Sequence, residues 1–517
     1  MVSDFWNCSF TWTQTKKIKK LRIKKLPFLP TPLANISSLG EQEIEKEKRV
    51  FVARNLKMGN IEVIGFDLDH TLAIYNLQTF DELCYSIAKQ KLVTEKGFPK
   101  AILELSYNPN FLIRGLIVDT QTGNILKANQ YGYVSEAFHG QKRLKRIVRK
   151  QTYSNVTVSF AEKRFESVDT LFALPEISLY AQIVDYFEET AKKTNLDYAK
   201  LYKDIRETVD LSHKDGSIKE QVIQNLDKYF IFDPKLALTL EKFRKAGKKL
   251  FILTNSEWFY TDAVMNHLLQ NKKEEFTHWT EYFNLVFCYS KKPKFFTHGT
   301  SLEKVEHKNE KIKPNKIFKG GNAEELEKLI KQNGDKILYF GDHTYGDIMR
   351  SKRDLGWRTA MIIYELEHEV SVSRKIETKQ REMLEVREQN NKLIEEATSL
   401  NQKINHLSSI KENDYRKMEE EDLIEIDKRI GEHLNEFQLK EQEVTQTLVQ
   451  IRKLEAEIES VYNLNWGLLF KCGNFNSRFG DQVKDFACIY TSRVSNLLAY
   501  ENGKYFRSPM ELMPHEI

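Results

Sequence analysis

The chain has 517 residues, 41% of them hydrophobic and 30% charged, with 11 prolines and 22 glycines. This composition excludes collagen-like and broadly disordered classes and allows roughly two to four domains of ordinary size. Lys and Arg outnumber Asp and Glu by 79 to 74, too mild a balance for a dedicated nucleic-acid binder, and no apolar run approaches the ~18 residues of a membrane span.

Residues 1–50 contain the most biased segment. Lys16 to Lys25 carries seven basic residues in ten and is followed by Pro27 and Pro30. No apolar core follows it, so it is not a secretory signal. It reads as a flexible tail, with contact to an anionic surface as the functional alternative. Five cysteines (Cys8, Cys84, Cys288, Cys472, Cys488) form no CxxC pair and are odd in number, which argues against a disulfide framework or a zinc cluster. That usage suits a reducing compartment, and a cytoplasmic location is expected.

From Phe51 to Ile363 short apolar runs alternate with helical patterns, which predicts an α/β fold. Ile61 to Phe66 is a strand that stops at an acidic pair. Tyr75 to Ile231 is too long for one crossover and predicts an inserted domain over 76–231, with the core split into 51–75 and 232–364. Lys235 to Ala246 is a helix with Asp233-Pro234 at its start and Gly247 at its end. Lys249 to Leu253, Ile337 to Phe340 and Thr359 to Ile363 are further strands. Helical patterns between strands imply parallel pairing, with ligands at the strands' carboxyl ends.

Residues 365–460 have no Pro and a single Gly, Gly431. Met383, Val386, Asn390, Leu393, Ala397, Leu400, Ile404 and Leu407 follow a three–four spacing, which resumes from Leu423 to Ile458. This predicts an antiparallel helical hairpin separated at Ser408 to Asp414, either zipped on itself or used for oligomerisation. Residues 461–517 are expected to pack on the core.

The strand ends carry the chemistry. Asp67 and Asp69 follow the first strand, and two carboxylates so spaced can approach one Mg²⁺. Thr254-Asn255-Ser256 follows the second and offers hydroxyls and an amide to phosphate oxygens. Lys292 precedes Pro293 at a loop, and Asp342 and Asp347 follow Ile337 to Phe340. Singly, each motif is an ordinary turn or helix cap. In this order, each after an apolar run, they resemble the haloacid-dehalogenase superfamily of phosphotransferases. The resemblance implies a Rossmann-like parallel core with an inserted cap. It makes Asp67 the nucleophile and Asp69 the general acid and base, with Thr254 and Lys292 on the phosphoryl oxygens. Asp67, Asp69 and Asp342 would hold Mg²⁺, supported from behind by Asp347.

A closer similarity is to the cytosolic purine 5′-nucleotidases that prefer IMP and GMP. It rests on Gly65 to Tyr75, Arg114-Gly115-Leu116, Thr170 to Glu176, Thr254-Asn255-Ser256 with Tyr260-Thr261-Asp262, and Lys292-Pro293 with Phe295-Phe296. Gly341 to Asp347, Gly356 to Thr359 and Met513-Pro514-His515-Glu516 continue it. This resemblance implies that Phe172, Arg206, Asp210, His213 and Lys219 of the cap bind the nucleotide, together with Thr254, Asn255, Ser256 and Lys292. It also implies a homo-oligomer, dimer or tetramer, and transfer of phosphate to a nucleoside acceptor. Ser159 and Asp485 replace arginines of the family's activating nucleotide site, Asp169 replaces an asparagine and Tyr345 a phenylalanine, while Gln482 matches. These changes predict a weakened effector. Ala173 replaces an asparagine beside Phe172, which leaves the preferred base open. A phosphatase for another phosphomonoester and a non-enzymatic interaction protein are the alternative readings.

Overall fold

The computed structural model describes residues 44–159, 162–190, 195–272, 276–307, 312, 316–414, 416, 418–511 and 516. Lys16 to Lys25, Cys8 and Met513-Pro514-His515 lie outside them. No described helix is long and apolar enough to cross a membrane, and Cys84, Cys288, Cys472 and Cys488 are all free and buried.

One nine-stranded sheet forms the core. Its strands are β1 (Phe51–Val52), β2 (Val63–Phe66), β3 (Lys249–Leu253), β4 (Leu285–Cys288), β5 (Leu302–Lys304), β6 (Ile317–Gly320), β7 (Ile337–Gly341), β8 (Arg358–Ile362) and β9 (Ile489–Thr491). They lie in the order β1-β9-β8-β7-β2-β3-β4-β6-β5. Every neighbouring pair from β9 to β6 is parallel, and only the edge strands β1 and β5 run antiparallel. All four residues of β2 are buried, as a central strand with both faces covered requires. β9 comes from the C-terminal segment, which therefore completes the sheet as well as packing on it. The same segment sends Trp466 into the apolar cluster of the inserted domain, where its Nε1 donates to the Phe111 carbonyl at 2.7 Å.

The chain leaves the core at Tyr75 and returns at Phe230, and these two residues bridge each other. Between them the helix Leu77–Thr94 precedes a five-stranded antiparallel sheet. The helices Leu174–Asp185, Tyr198–Lys214 and Ser217–Gln224 follow. Tyr85, Tyr180, Ile183 and Ile205 belong to this domain's own apolar core.

The hairpin helices span Glu377–Asp414 and Glu420–Tyr462. Ion pairs Lys379–Glu457, Lys440–Glu396 and Lys411–Asp427 fix their antiparallel register. The first helix runs through Ser408 to Asp414 instead of ending there, because that stretch has no Gly or Pro and serine only weakly disfavours helix. Asn390 sits buried in the seam and donates to Thr447 Oγ1 at 2.6 Å, a polar layer that pins the register.

Gly65 is needed by close approach: a Cβ there would stand 2.1 Å from Cζ of the buried Phe251 ring. Phe251 is itself stacked on Tyr339 and edged by Trp357, so it has nowhere to go. Gly65→Ala is expected to lower stability by about 1–3 kcal/mol through overpacking, read from a urea titration of both proteins.

Candidate functional site

The parallel strands point their carboxyl ends at one cleft of about 460 Å³ between core and inserted domain. Asp67 continues the pairing of β2, its N–H donating to the Phe340 carbonyl at 2.8 Å. Its Oδ1 accepts from Leu68 N–H at 2.8 Å and faces Lys292 Nζ at 2.8 Å, leaving Oδ2 uncommitted to either. Asp342 directly follows β7. Asp347 comes from the turn of helix after it and crosses back over Gly341, where a Cβ would meet Asp347 Cβ at 2.5 Å. The close approach requires the glycine.

Asp67, Asp342 and Asp347 each offer an oxygen within 4.8 Å of the others, and all three are buried. Lys292 joins them, 2.6 Å from Asp347 Oδ1, and donates to the Tyr339 hydroxyl at 2.9 Å. Burial, opposed by Lys292 and reinforced by Asp347 and Asp69, pushes the Asp67 carboxyl up to about 8. Burial and Asp347 hold Asp342 well above the carboxylate range. Burial alone would lower Lys292, but Asp347 and Asp67 outweigh it and keep its ammonium firmly charged. One lysine does not neutralise three carboxylates. Asp342 Oδ2 is buried without a hydrogen-bond partner among the described residues. Hard oxygen donors, carboxyls that ionise only against strong resistance until a cation offsets their charge, and an orphaned oxygen together fit a small divalent cation such as Mg²⁺.

The grouping differs from the one expected for the metal. Asp347, not Asp69, converges with Asp67 and Asp342. Asp69 is held apart because both its oxygens accept hydroxyl protons, from Tyr75 at 2.6 Å and from Ser256 at 2.8 Å. Tyr75 and Tyr260 share a further hydroxyl contact at 2.7 Å. Sequence reading gave these tyrosines no role, although Tyr75 and Tyr260 each lie six residues beyond a motif residue, Asp69 and Thr254.

Thr254 is fully buried at the end of β3, and its hydroxyl accepts from Ser256 N–H at 3.0 Å, which leaves its own proton to donate. Asn255 lines the cleft but is engaged with the Lys292 backbone, accepting from its N–H at 2.6 Å and donating to its carbonyl at 3.1 Å. Its visible work is to hold Lys292 in place.

From the inserted domain, Phe172, Asp210, His213, Lys214 and Lys219 line the cleft opposite the acids. Phe172 packs edge-on against His70 at 4.5 Å and His213 at 5.7 Å. Burial, with Lys219 and Arg206 nearby, lowers His213 to about 4, so its imidazole is neutral near pH 7. Lys219 is ion-paired with Glu257 of the core. Arg206 is not among the lining residues: it pairs with the buried Glu176 at 3.2 Å and stands 3.9 Å behind Asp210.

The profile described as "5' nucleotidase family" matches residues 50–517. A 5′-nucleotidase domain-containing protein of Dictyostelium discoideum is 27% identical over 498 residues, covering 94% of this chain and 76% of that protein. The 5′-nucleotidase domain-containing protein 2 of Homo sapiens is 29% identical over 342 residues, covering 62% of this chain and 64% of that protein. Among solved structures, a predicted phosphoglycolate phosphatase from Haemophilus somnus overlaps 59% of this chain and 86% of its own, at 16% identity and a TM-score of 0.26.

The raised Asp67 fixes a pH dependence. Its folded value of about 8 lies above the ordinary 3.8, so without a cation the folded state binds the extra proton and that stabilisation is lost as pH rises toward 8. In metal-free buffer, Asp67→Asn should therefore gain stability over wild type between about pH 5 and 8, and saturating Mg²⁺ should shrink the gain. Urea unfolding of both proteins at each pH checks it; a difference that does not change with pH contradicts it.

Proposed function

The chain belongs to the 5′ nucleotidase family, and we propose that it is a Mg²⁺-dependent hydrolase of purine nucleoside 5′-monophosphates, of the IMP and GMP type, acting through an aspartyl-phosphate on Asp67. One observation carries the reading: Asp67, Asp69 and Lys292 share a single cleft with the aromatic and polar residues of the inserted domain.

Asp67 attacks phosphorus in line with the ribose 5′ oxygen. A P–O bond to Asp67 forms as the P–O5′ bond breaks, and Asp69 gives its proton to the leaving oxygen. Tyr75 and Ser256 fix the direction of that carboxyl. In the second step water attacks the aspartyl-phosphate, Asp69 takes the water's proton, and orthophosphate leaves with Asp67 restored. A nucleoside hydroxyl in place of water gives phosphotransfer. Lys292 and the Thr254 hydroxyl offset charge on the transferring oxygens. Asp67, Asp342 and Asp347 would hold Mg²⁺, which supplies further neutralisation of the phosphoryl group when bound.

Specificity falls to the inserted domain. Phe172 and a neutral His213 offer faces to a purine, and Asp210 accepts from its edge. Arg206, held by Glu176, acts on the base through Asp210 or swings from Glu176 to donate directly. Asp485, Asp169 and Ser159 disfavour an anionic effector at the family's activating site. A non-enzymatic scaffold would have no reason to keep a buried acid–lysine cluster. A cytoplasmic homo-oligomer is part of this reading, supported by exposed Leu384, Ile424, Leu439 and Val449 on the hairpin.

Asp67→Asn should abolish phosphate release from IMP while the circular dichroism spectrum is unchanged; activity within about tenfold of wild type would remove Asp67 as nucleophile. Asp210→Ala should lower kcat/KM for IMP by about ten- to a hundredfold while p-nitrophenyl phosphate is still cleaved, because one charged hydrogen bond to the base is lost and the reacting centre is intact. An unchanged ratio of the two kcat/KM values would remove the purine assignment.

A further inference from the structure

Arg114 is fully buried, and the chemistry above does not use it. It precedes Gly115, whose φ of +84° turns the chain into the inserted domain's strand Leu116–Asp119. Its guanidinium nevertheless lies at the core's metal-binding acids. Nη1 donates to the Asp342 carbonyl at 2.9 Å, and Nε and Nη2 donate to Glu365 at 3.0 and 2.7 Å. The Phe479 ring covers it at 5.0 Å. The same Nη1 stands 3.9 Å from Asp342 Oδ2, the oxygen left without a hydrogen bond.

A buried guanidinium this near a buried carboxylate gains from closing into a direct ion pair. Closing that pair would consume the Asp342 oxygen a cation needs. Glu365 prevents it by two means. Its two oxygens take two guanidinium donors in a fork, which fixes the plane of the group. Its charge also balances that of Arg114, so Asp342 need not. With the plane so fixed, Nη1 is aimed at the Asp342 carbonyl at 2.9 Å, not at the carboxylate 3.9 Å away.

We propose that Glu365 is a positioning residue of the metal centre: it holds Arg114 on the Asp342 backbone and so keeps the Asp342 carboxylate open for a divalent cation. The inference rests on the metal reading of Asp67, Asp342 and Asp347 and adds to it a residue that touches neither cation nor substrate. Glu365 is also the residue on which the helix Leu366–Lys375 begins, and that helix runs toward the hairpin. Cation affinity is thereby tied to the seating of the hairpin's base and, through Arg114, to that of the inserted domain.

The test measures Mn²⁺ binding to the full chain by the loss of its free electron-paramagnetic-resonance signal, with metal-free thermal unfolding recorded beside it. Glu365→Gln should raise the Mn²⁺ Kd by about tenfold or more, since partners that orient metal ligands carry effects of that size. Adding Arg114→Met to Glu365→Gln should return the Kd to within roughly threefold of wild type, because the competing cation is gone. A purely structural Glu365 predicts the opposite, a double variant worse than the single. An unchanged Kd in Glu365→Gln, or a double variant weaker than the single, overturns the proposal. If Glu365→Gln does not fold, Arg114→Met alone decides: it should bind Mn²⁺ at least as tightly as wild type, and loss of binding overturns the proposal. A wild-type chain that takes up no Mn²⁺ removes the metal reading itself, and this inference with it.

Discussion

Three carboxylates buried within 4.8 Å of one another are the constraint on which the rest of the structure turns. At that spacing each charged pair repels by on the order of 3 kcal/mol even at an effective dielectric of about 20. Lys292 offsets part of this, and the remainder is of the sign that a cation would offset. The fold spends its most rigid part on holding this arrangement. Asp67 and Asp342 extend adjacent, fully buried strands β2 and β7, and Gly341 makes the room that lets Asp347 close over them.

Two bodies of side chains line the cleft. The core contributes the acids, Lys292 and the hydroxyls, at strand ends and in the loops and helical turns that follow them. The inserted domain contributes Phe172, Asp210, His213 and Lys219 from helices and a short turn. Ion pairs stitch the halves together, Lys219 to Glu257 at the cleft and Arg114 to Glu365 behind it. The cleft therefore has acids, a lysine and hydroxyls on one wall and aromatic and charged side chains on the other.

Much of this was legible in the sequence. The parallel fold class was readable because a strand buried on both faces is mostly an apolar run: Val63–Phe66 and Ile337–Gly341 are unbroken, and Lys249–Leu253 and Arg358–Ile362 are apolar after their first one or two residues. An acid cutting such a run short is conspicuous, so Asp67, Asp69 and Asp342 stood out. β4 is an apolar run too, and its place between β3 and β6 is set by pairing with distant strands. β9 was out of reach, since it pairs with β8 across the whole hairpin and no local pattern reports so distant a partner. Which carboxylates converge is likewise a property of the fold: Tyr75 and Ser256 engage the side-chain oxygens of Asp69, and the turn after β7 brings Asp347 beside Asp67 and Asp342. The engagement of the Asn255 amide with the loop of Lys292 is equally remote from any local pattern. Nothing near Arg114 in sequence betrays Asp342 and Glu365 as its partners.

The central claim is covalent capture of the phosphoryl group by Asp67, and one measurement addresses it directly. The chain is mixed with IMP labelled in its phosphate, quenched in acid within the steady state, digested and analysed by mass spectrometry. The account predicts an acid-stable, hydroxylamine-labile phosphoryl group on the peptide carrying Asp67, accumulating further when Asp69 is replaced by Asn. Continued release of phosphate with no label on that peptide, or label on another residue, would contradict it.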